Sequence, residues 1–319
     1  MVRYSNVPKW RKDYRPERNV HNTLMQHILL TGANSFIAPF VIKQLIKNNY
    51  RVTAVSRQIP VSMSSAVTFL PVDLSRIECF LGLPRDVDAI IHIAATLPVP
   101  GTGVAQMVAN NIIATQNVII FAKQCKARKI IYTSTRSVYG KVENAIVDEM
   151  TEINDPSTYG LTKYAGEVML EHDHSAFSSV AIRLPGILGY KAKRHWIPDI
   201  LEQIMDGRRV YIYNPDAQFN NAMHADALGR FICELLTRSW SGFHAFPIGA
   251  GNCLSVKAVV ERLICRLESS SQIEIGPSIR NTYTISSHIA MNRFGYKPER
   301  LENILDQCAD EFSGAFHAR

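Results

Sequence analysis

Tyr159 and Lys163 are four residues apart, so they fall one turn apart on one face of any helix that carries them. A free phenol titrates near pH ~10 and is a poor base at neutral pH. A protonated lysine beside it favours the phenolate and brings its proton into the range of neutral chemistry. The pair is therefore a proton-transfer device suited to an alcohol or a ketone. Such pairs also occur by chance on solvated helix faces. The rest of the chain has to supply the partners that distinguish the two.

The elements that must position the pair follow a regular alternation from His27 onward. His27–Thr31 reads as a short buried strand, and Gly32 to Ser35 as a turn. Phe36–Asn48 then carries apolar residues at helical spacing. Strands are expected at 51–55, at 67–72 ending before Asp73, at 89–94, at 129–133 and at 180–184. Between them lie a short helix at 75–81, a long one at 104–126 and the helix of Tyr159 and Lys163 at 157–171. Strands that are almost continuously apolar, alternating with amphipathic helices, indicate an α/β protein: a doubly wound parallel sheet covered on both faces. A strand–turn–helix with its turn at Gly32 offers an anion-binding position at the helix start. Beyond Leu184 the pattern loosens. Helices are expected near 198–205, 226–237, 255–267 and 298–312, and strands near 209–213 and 244–248. Three regions result. Residues 1–26 are a poorly ordered extension, and 27–184 a sheet domain with returning segments around 222–249. Residues 185–319 are mostly a smaller lobe on the substrate side of a cleft.

Composition narrows the function. With 46% hydrophobic and 20% charged residues, the 319-residue chain can bury the core of one large domain or two smaller ones. The net charge is +7, and about +4 of it sits before His27, where six Lys/Arg face two acids. The remaining body is only mildly basic. That gives no reason to expect nucleic acid and suits a small anionic ligand. The six cysteines are widely spaced without a Cys-x-x-Cys, so neither a disulfide framework nor a zinc site is readable, and a reducing cytoplasm is expected. The His172-Asp173-His174 cluster reads as a polar helix end, and no metal is expected. No run of 18 apolar residues exists, so no membrane association is expected.

The first turn, Thr31-Gly32-Ala33-Asn34-Ser35-Phe36-Ile37-Ala38, resembles the Thr-Gly-x-x-Gly-x-x-Gly cofactor turn of the extended short-chain dehydrogenase/reductases, the NAD-dependent epimerase/dehydratase family. Ser35 holds the second glycine position and Ala38 the third. Other stretches follow in the family's order: Val72-Asp73-Leu74, Ile91-His92-Ile93-Ala94-Ala95, Asn111 to Asn117, Tyr132 to Gly140, Arg183 to Gly189, Gly249 to Ser255 and Phe294 to Pro298. The resemblance covers roughly residues 27–312 and implies a Rossmann-type fold. It assigns catalysis to Thr135, Tyr159 and Lys163. It assigns cofactor contacts to Gly32, Asn34, Ser35, Phe36, Ile37, Arg57, Asp73, Leu74, Ala94, Ala95, Asn111, Tyr159, Lys163 and Pro185. Substrate contacts fall on Thr96, Arg136, Gly186, Lys193, Asn220 and His224, and His92 reads as a packed strand residue.

The resemblance also implies a nicotinamide cofactor, a nucleotide-diphosphate sugar and a homodimer. An acid ending the second strand selects NAD in this family. Here Ser56 and Arg57 stand there, which favours NADP over NAD. Dehydratases carry an acidic pair after the catalytic threonine, whereas Arg136-Ser137 follow Thr135. Reduction of a 4-keto sugar is therefore expected first and epimerisation second, with a non-catalytic NAD(P)-binding sensor or scaffold as the rival of another class. The family's frequent Asn at position 186 and Arg at position 220 are absent here. The basic loop Lys191, Lys193 and Arg194 is either their substitute or a solvated face.

Overall fold

The computed structural model describes residues 27–60, 64–193, 195–277 and 282–317. The reading of residues 1–26 as a poorly ordered extension lies outside them, as does Arg194. Seven parallel strands form the central sheet. Across the sheet they run Phe243–Pro247, Ser178–Leu184, Lys129–Thr135, Ala89–His92, His27–Thr31, Arg51–Ser56 and Val67–Pro71. The strand order reverses between His27–Thr31 and Ala89–His92, where Thr31 pairs with His92. In a doubly wound sheet, ligands bind outside the carboxyl ends of the strands at that reversal.

The sheet is buried on both faces, which is why its strands read as apolar runs rather than alternations. Val41 and Leu45 of the helix Ala38–Lys47 pack with Leu228 and Phe231 of Ala225–Thr237 against Ile28 and Leu30. On the opposite face Val118, Phe121 and Leu170 cover Leu29, Ile90 and Ile130. Each such side chain, fully buried, contributes about 1.5–3 kcal/mol. A separate core joins Leu188, Ile197 and Leu201 to Val260, Leu263 and Leu305. It builds a lobe from residues beyond the strand Ser178–Leu184. The helix Ala225–Thr237 and the strand Phe243–Pro247 return from that half of the chain to the sheet.

Local structure departs from the sequence expectation in three places. The short helix expected at 75–81 is a 3₁₀ helix, Ile77–Gly82, which ends after two turns at Gly82, ahead of Pro84. The long helix contains a π segment at Val108–Ile113, flanked by α-helix at Val104–Met107 and Ala114–Cys125. Taken together, Val104–Cys125 is long and apolar enough to cross a membrane by length and composition. The sequence had been read as offering no such segment. Met107, Asn111, Val118 and Phe121 are its buried side. Finally, the strand expected at 89–94 ends at His92, because Ile93 and Ala94 turn to meet the backbone of Gly32.

Candidate active site

The cofactor side of the site begins where His27–Thr31 ends. Gly32 has φ +79°, and a Cβ there would lie 2.7 Å from the Ala94 backbone nitrogen. Only glycine allows both the turn and this approach. The helix that follows has no side-chain cap, Pro39 on its first turn carries no N–H, and the Ala38 N–H is bonded to the Ser35 carbonyl at 3.2 Å. The Ser35 hydroxyl is buried with no partner. A cleft of about 540 Å³ opens there, bounded by Gly32, Asn34, Ser35, Ser56, Arg57, Asp73, Ala94 and Thr96. An uncapped helix start, an orphaned hydroxyl and the bare backbone of Gly32 fit a dinucleotide's pyrophosphate.

Asp73 and Arg57 sit at the outer end of that cleft. Hydrogen bonds from Ser75 hold the Asp73 carboxyl below its usual range, its Oδ1 accepting from the Ser75 hydroxyl at 2.7 Å. The Arg57 charge acts in the same direction. Arg57 itself is exposed. Leu74 is buried and receives the Asn117 amide on its carbonyl at 2.9 Å.

The helix Thr158–His172, the candidate catalytic helix, is started by Ser157, whose hydroxyl accepts from the Gly160 N–H. Tyr159 is half-buried on its first turn. Lys163 is 1% exposed, with Nζ 3.9 Å from the centroid of the Tyr132 ring. Burial pushes the Lys163 ammonium down to about 7, and Glu167 opposes this. Thr135 ends its strand opposite Leu184, and the buried Pro185 follows at the same edge. The Thr135 hydroxyl oxygen accepts from the Ser137 N–H at 3.2 Å and starts the 3₁₀ turn Arg136–Tyr139. That turn presses on the catalytic helix. A Cβ on Gly160 would lie 2.2 Å from the Ser137 carbonyl oxygen.

Beneath the pair lies a buried polar frame. Arg183 Nη2 donates to Glu167 Oε2 at 2.7 Å, and the Ser134 hydroxyl also donates to Glu167. Arg183 reaches the Tyr139 hydroxyl at 3.1 Å. His92 bonds Thr31 through Nδ1 at 2.7 Å and Thr115 through Nε2 at 2.9 Å. Thr115 gives its own proton to the Asn111 carbonyl, so His92 carries its proton on Nε2. Burial drives the His92 imidazole down to about 3, so it stays neutral. Sequence reasoning did not single out Ser134, Tyr132 or Glu167. Only the i, i+4 spacing of Lys163 and Glu167 signalled one of them.

Several expected contacts have structural work instead. Asn111 is buried, and its amide is used on the Thr96 backbone and the Thr162 hydroxyl. It latches the loop at 96 to the catalytic helix rather than facing a cofactor. The Thr96 hydroxyl is held by Asn110. Ile37 is packed in the core, and Phe36 stacks edge-on against Phe40 outside the dinucleotide cleft. Asn220 closes its amide on the backbone of Ile285, with both bonds at 2.8 Å. His224 is fully buried, caps the helix Ala225–Thr237 through Nδ1 and faces Glu311 through Nε2. Neither Asn220 nor His224 has a polar atom left for a substrate. Lys193 lines a second cleft, of about 990 Å³, with Lys191, Phe36 and Tyr190. That cleft meets the first only at Asn34 and Ser35. Among the described residues, no cluster of three or more His, Cys, Asp or Glu is arranged to hold a metal.

A dinucleotide turn at the sheet's reversal, followed in chain order by Thr135, Tyr159 and Lys163 at its carboxyl edge, defines a nicotinamide-dependent oxidoreductase of the extended short-chain type. The profile of the NAD dependent epimerase/dehydratase family matches residues 28–249, and the chain belongs to that family. It is 25% identical to a UDP-glucose 4-epimerase of Halalkalibacterium halodurans, over 88% of this chain and 93% of that one. It is 22% identical to a CDP-abequose synthase of Salmonella muenchen, over 85% and 92%. The fold matches a UDP-glucuronic acid 4-epimerase from Bacillus cereus in complex with NAD, with a TM-score of 0.78 at 22% identity over 92% of this chain and 98% of that one.

Proposed function

We propose that this enzyme exchanges hydride between NAD(P) and a carbonyl or hydroxyl carbon of a nucleotide-diphosphate sugar, and that it works as a 4-keto-sugar reductase. The observation that carries the reading is the half-buried Tyr159, one turn from the buried Lys163, on a helix whose Gly160 packs against the Ser137 carbonyl just after Thr135. When bound, the nicotinamide supplies or accepts the hydride. Ser35 and the start of the helix Ala38–Lys47 would hold the pyrophosphate. The Thr135 oxygen already accepts from the Ser137 N–H, which leaves its hydrogen for the substrate oxygen. Tyr159 gives or takes the proton of that oxygen. The Lys163 ammonium favours the phenolate and would hold the ribose hydroxyls. Arg136 and Gly186 border the substrate.

Two features support reduction with NADP. No acid stands at Ser56, and the exposed Arg57 lines the cleft, where a guanidinium would pair with a 2′-phosphate. Arg136 occupies the place where dehydration would need an acid. The second reading is epimerisation with retained NAD, and the UDP-glucose 4-epimerase relative favours it. A binding-only protein has no need of the Thr135, Tyr159 and Lys163 set. We further propose a cytoplasmic homodimer paired through the long helix and the catalytic helix.

Calorimetric titration with NADPH and NADH, followed by turnover on keto-sugar nucleotides, tests the reading. NADPH should bind more tightly, and Arg57→Asp should reverse the preference. Tyr159→Phe should keep the cofactor affinity and lower kcat by about 10²- to 10⁴-fold. NAD retained through purification would move the assignment to epimerisation. Full turnover by Tyr159→Phe would remove the mechanism.

A further inference from the structure

Arg136 follows Thr135 directly and is half-buried. Among the described residues its guanidinium has one hydrogen-bond partner, the Tyr283 phenol, to which Nη1 donates at 2.7 Å. No carboxylate among the described residues pairs with it. Its charge also bears on His195, which burial and the Arg136 charge together hold neutral, down to about 3. The His195 ring fills the place that a side chain at 186 would take. A Cβ on Gly186 would lie 2.1 Å from the ring's Cδ2. His195 Nδ1 accepts from the Ile197 N–H at 3.3 Å, so the ring is fixed as a neutral wall. Position 220 offers no cation, since the Asn220 amide is closed on Ile285.

A guanidinium drawn partly out of water without an acid is unfavourable on its own. The same arrangement becomes favourable once an oxyanion fills it, because the planar fork makes two charge-assisted bonds to a carboxylate or phosphate. Tyr283 holds one edge of the fork and leaves the rest open.

We propose that Arg136, steadied by Tyr283, is the oxyanion reader of the substrate cleft, and that the substrate carries a carboxylate or phosphate oxygen close to the carbon on which Thr135 and Tyr159 act. This rests on the nucleotide-sugar reading above. The oxyanion has two sources, a carboxylate on the transformed sugar or the nucleotide's own diphosphate. The position one residue beyond Thr135 favours the sugar carboxylate.

Calorimetry on the NADPH-saturated protein separates these sources, with UDP, UDP-glucose and UDP-glucuronic acid as probes. With a carboxylate reader, UDP-glucuronic acid binds at least about tenfold more tightly than UDP-glucose. Arg136→Gln then removes that difference and leaves UDP unchanged. With a diphosphate reader, Arg136→Gln weakens all three probes by one common factor. Tyr283→Phe, which keeps the charge, reduces the same quantity by a smaller factor and provides the reading if Arg136→Gln does not fold. Unchanged affinities in both variants, with UDP still bound, overturn the oxyanion reader and leave the nucleotide-sugar reading standing. Failure of the wild type to bind any of the three probes overturns both.

Discussion

Lys163 shows how one buried side chain would tie the proposed catalysis to stability. Its ammonium lies among the least exposed groups in the molecule, and the Tyr132 ring face offsets part of the lost hydration. The unfolded chain keeps this proton up to pH ~10.4, whereas the folded chain releases it near 7. Between those values the unfolded state binds more protons, so stability rises with pH. Below about 7 both states are protonated and the full penalty of burying the charge is present. Lys163→Met does not titrate. The unfolding free energy of wild type minus that of Lys163→Met should therefore be flat below pH 7. Above it the difference should climb by about 1.4 kcal/mol per pH unit toward pH 10. Urea denaturation of both proteins across pH 6–10 measures this directly. A flat difference throughout would mean that burial does not shift Lys163. The same titration places both forms of the lysine near neutrality, where the proposed mechanism uses its charge.

At the level of elements, the spacing between the catalytic helix and the strand ending at Thr135 is set by Gly160. In an exposed helix, alanine for glycine would stabilise by about 1 kcal/mol. Here the new methyl would meet the Ser137 carbonyl at 2.2 Å, and a backbone atom cannot swing aside as a side chain can. The clash wins. Gly160→Ala should lose about 1–3 kcal/mol of stability to overpacking. It should also lose turnover, because Tyr159 moves away from Thr135. Urea unfolding and kcat on one preparation test both, and a stabilised, fully active Gly160→Ala would refute the argument.

The elements themselves were legible in the sequence. All seven sheet strands, the cofactor turn and the helix of Tyr159 and Lys163 fall within two residues of their expected positions, because hydrophobic runs and turn residues are local signals. What joins them was not legible. Glu167 meets Arg183 16 positions away, and Asn111 meets Thr162 51 positions away. Those partners are chosen by strand order, which no local pattern states. His224 and Asn220 were read as substrate contacts because their motif positions matched. Their partners, Glu311 and Ile285, come from the end of the chain and take up their polar atoms. The π segment at Val108–Ile113 had no signal either, since six residues cannot separate the two helical periods.

For the molecule as a whole, the long helix and the catalytic helix lie side by side on one face of the sheet, and their outward sides stay apolar. Leu161 is 54% and Val168 46% exposed, seven residues apart on one helical stripe. Val104 and Ile113 are exposed on the neighbouring helix. A stripe spanning two adjacent helices is more than the scattered surface leucine that needs no cover. Pairing it with itself across a two-fold axis brings four helices together and buries the same residues on both copies. The proposed homodimer therefore predicts a light-scattering mass of twice the 35.8 kDa chain. Leu161→Glu with Val168→Glu would place like charges opposite each other at the axis. That variant should run at the mass of one chain with an unchanged circular dichroism spectrum, since both side chains already face outward in the single copy. A wild-type protein of single-chain mass at micromolar concentration would sink the pairing and leave the stripe to another partner.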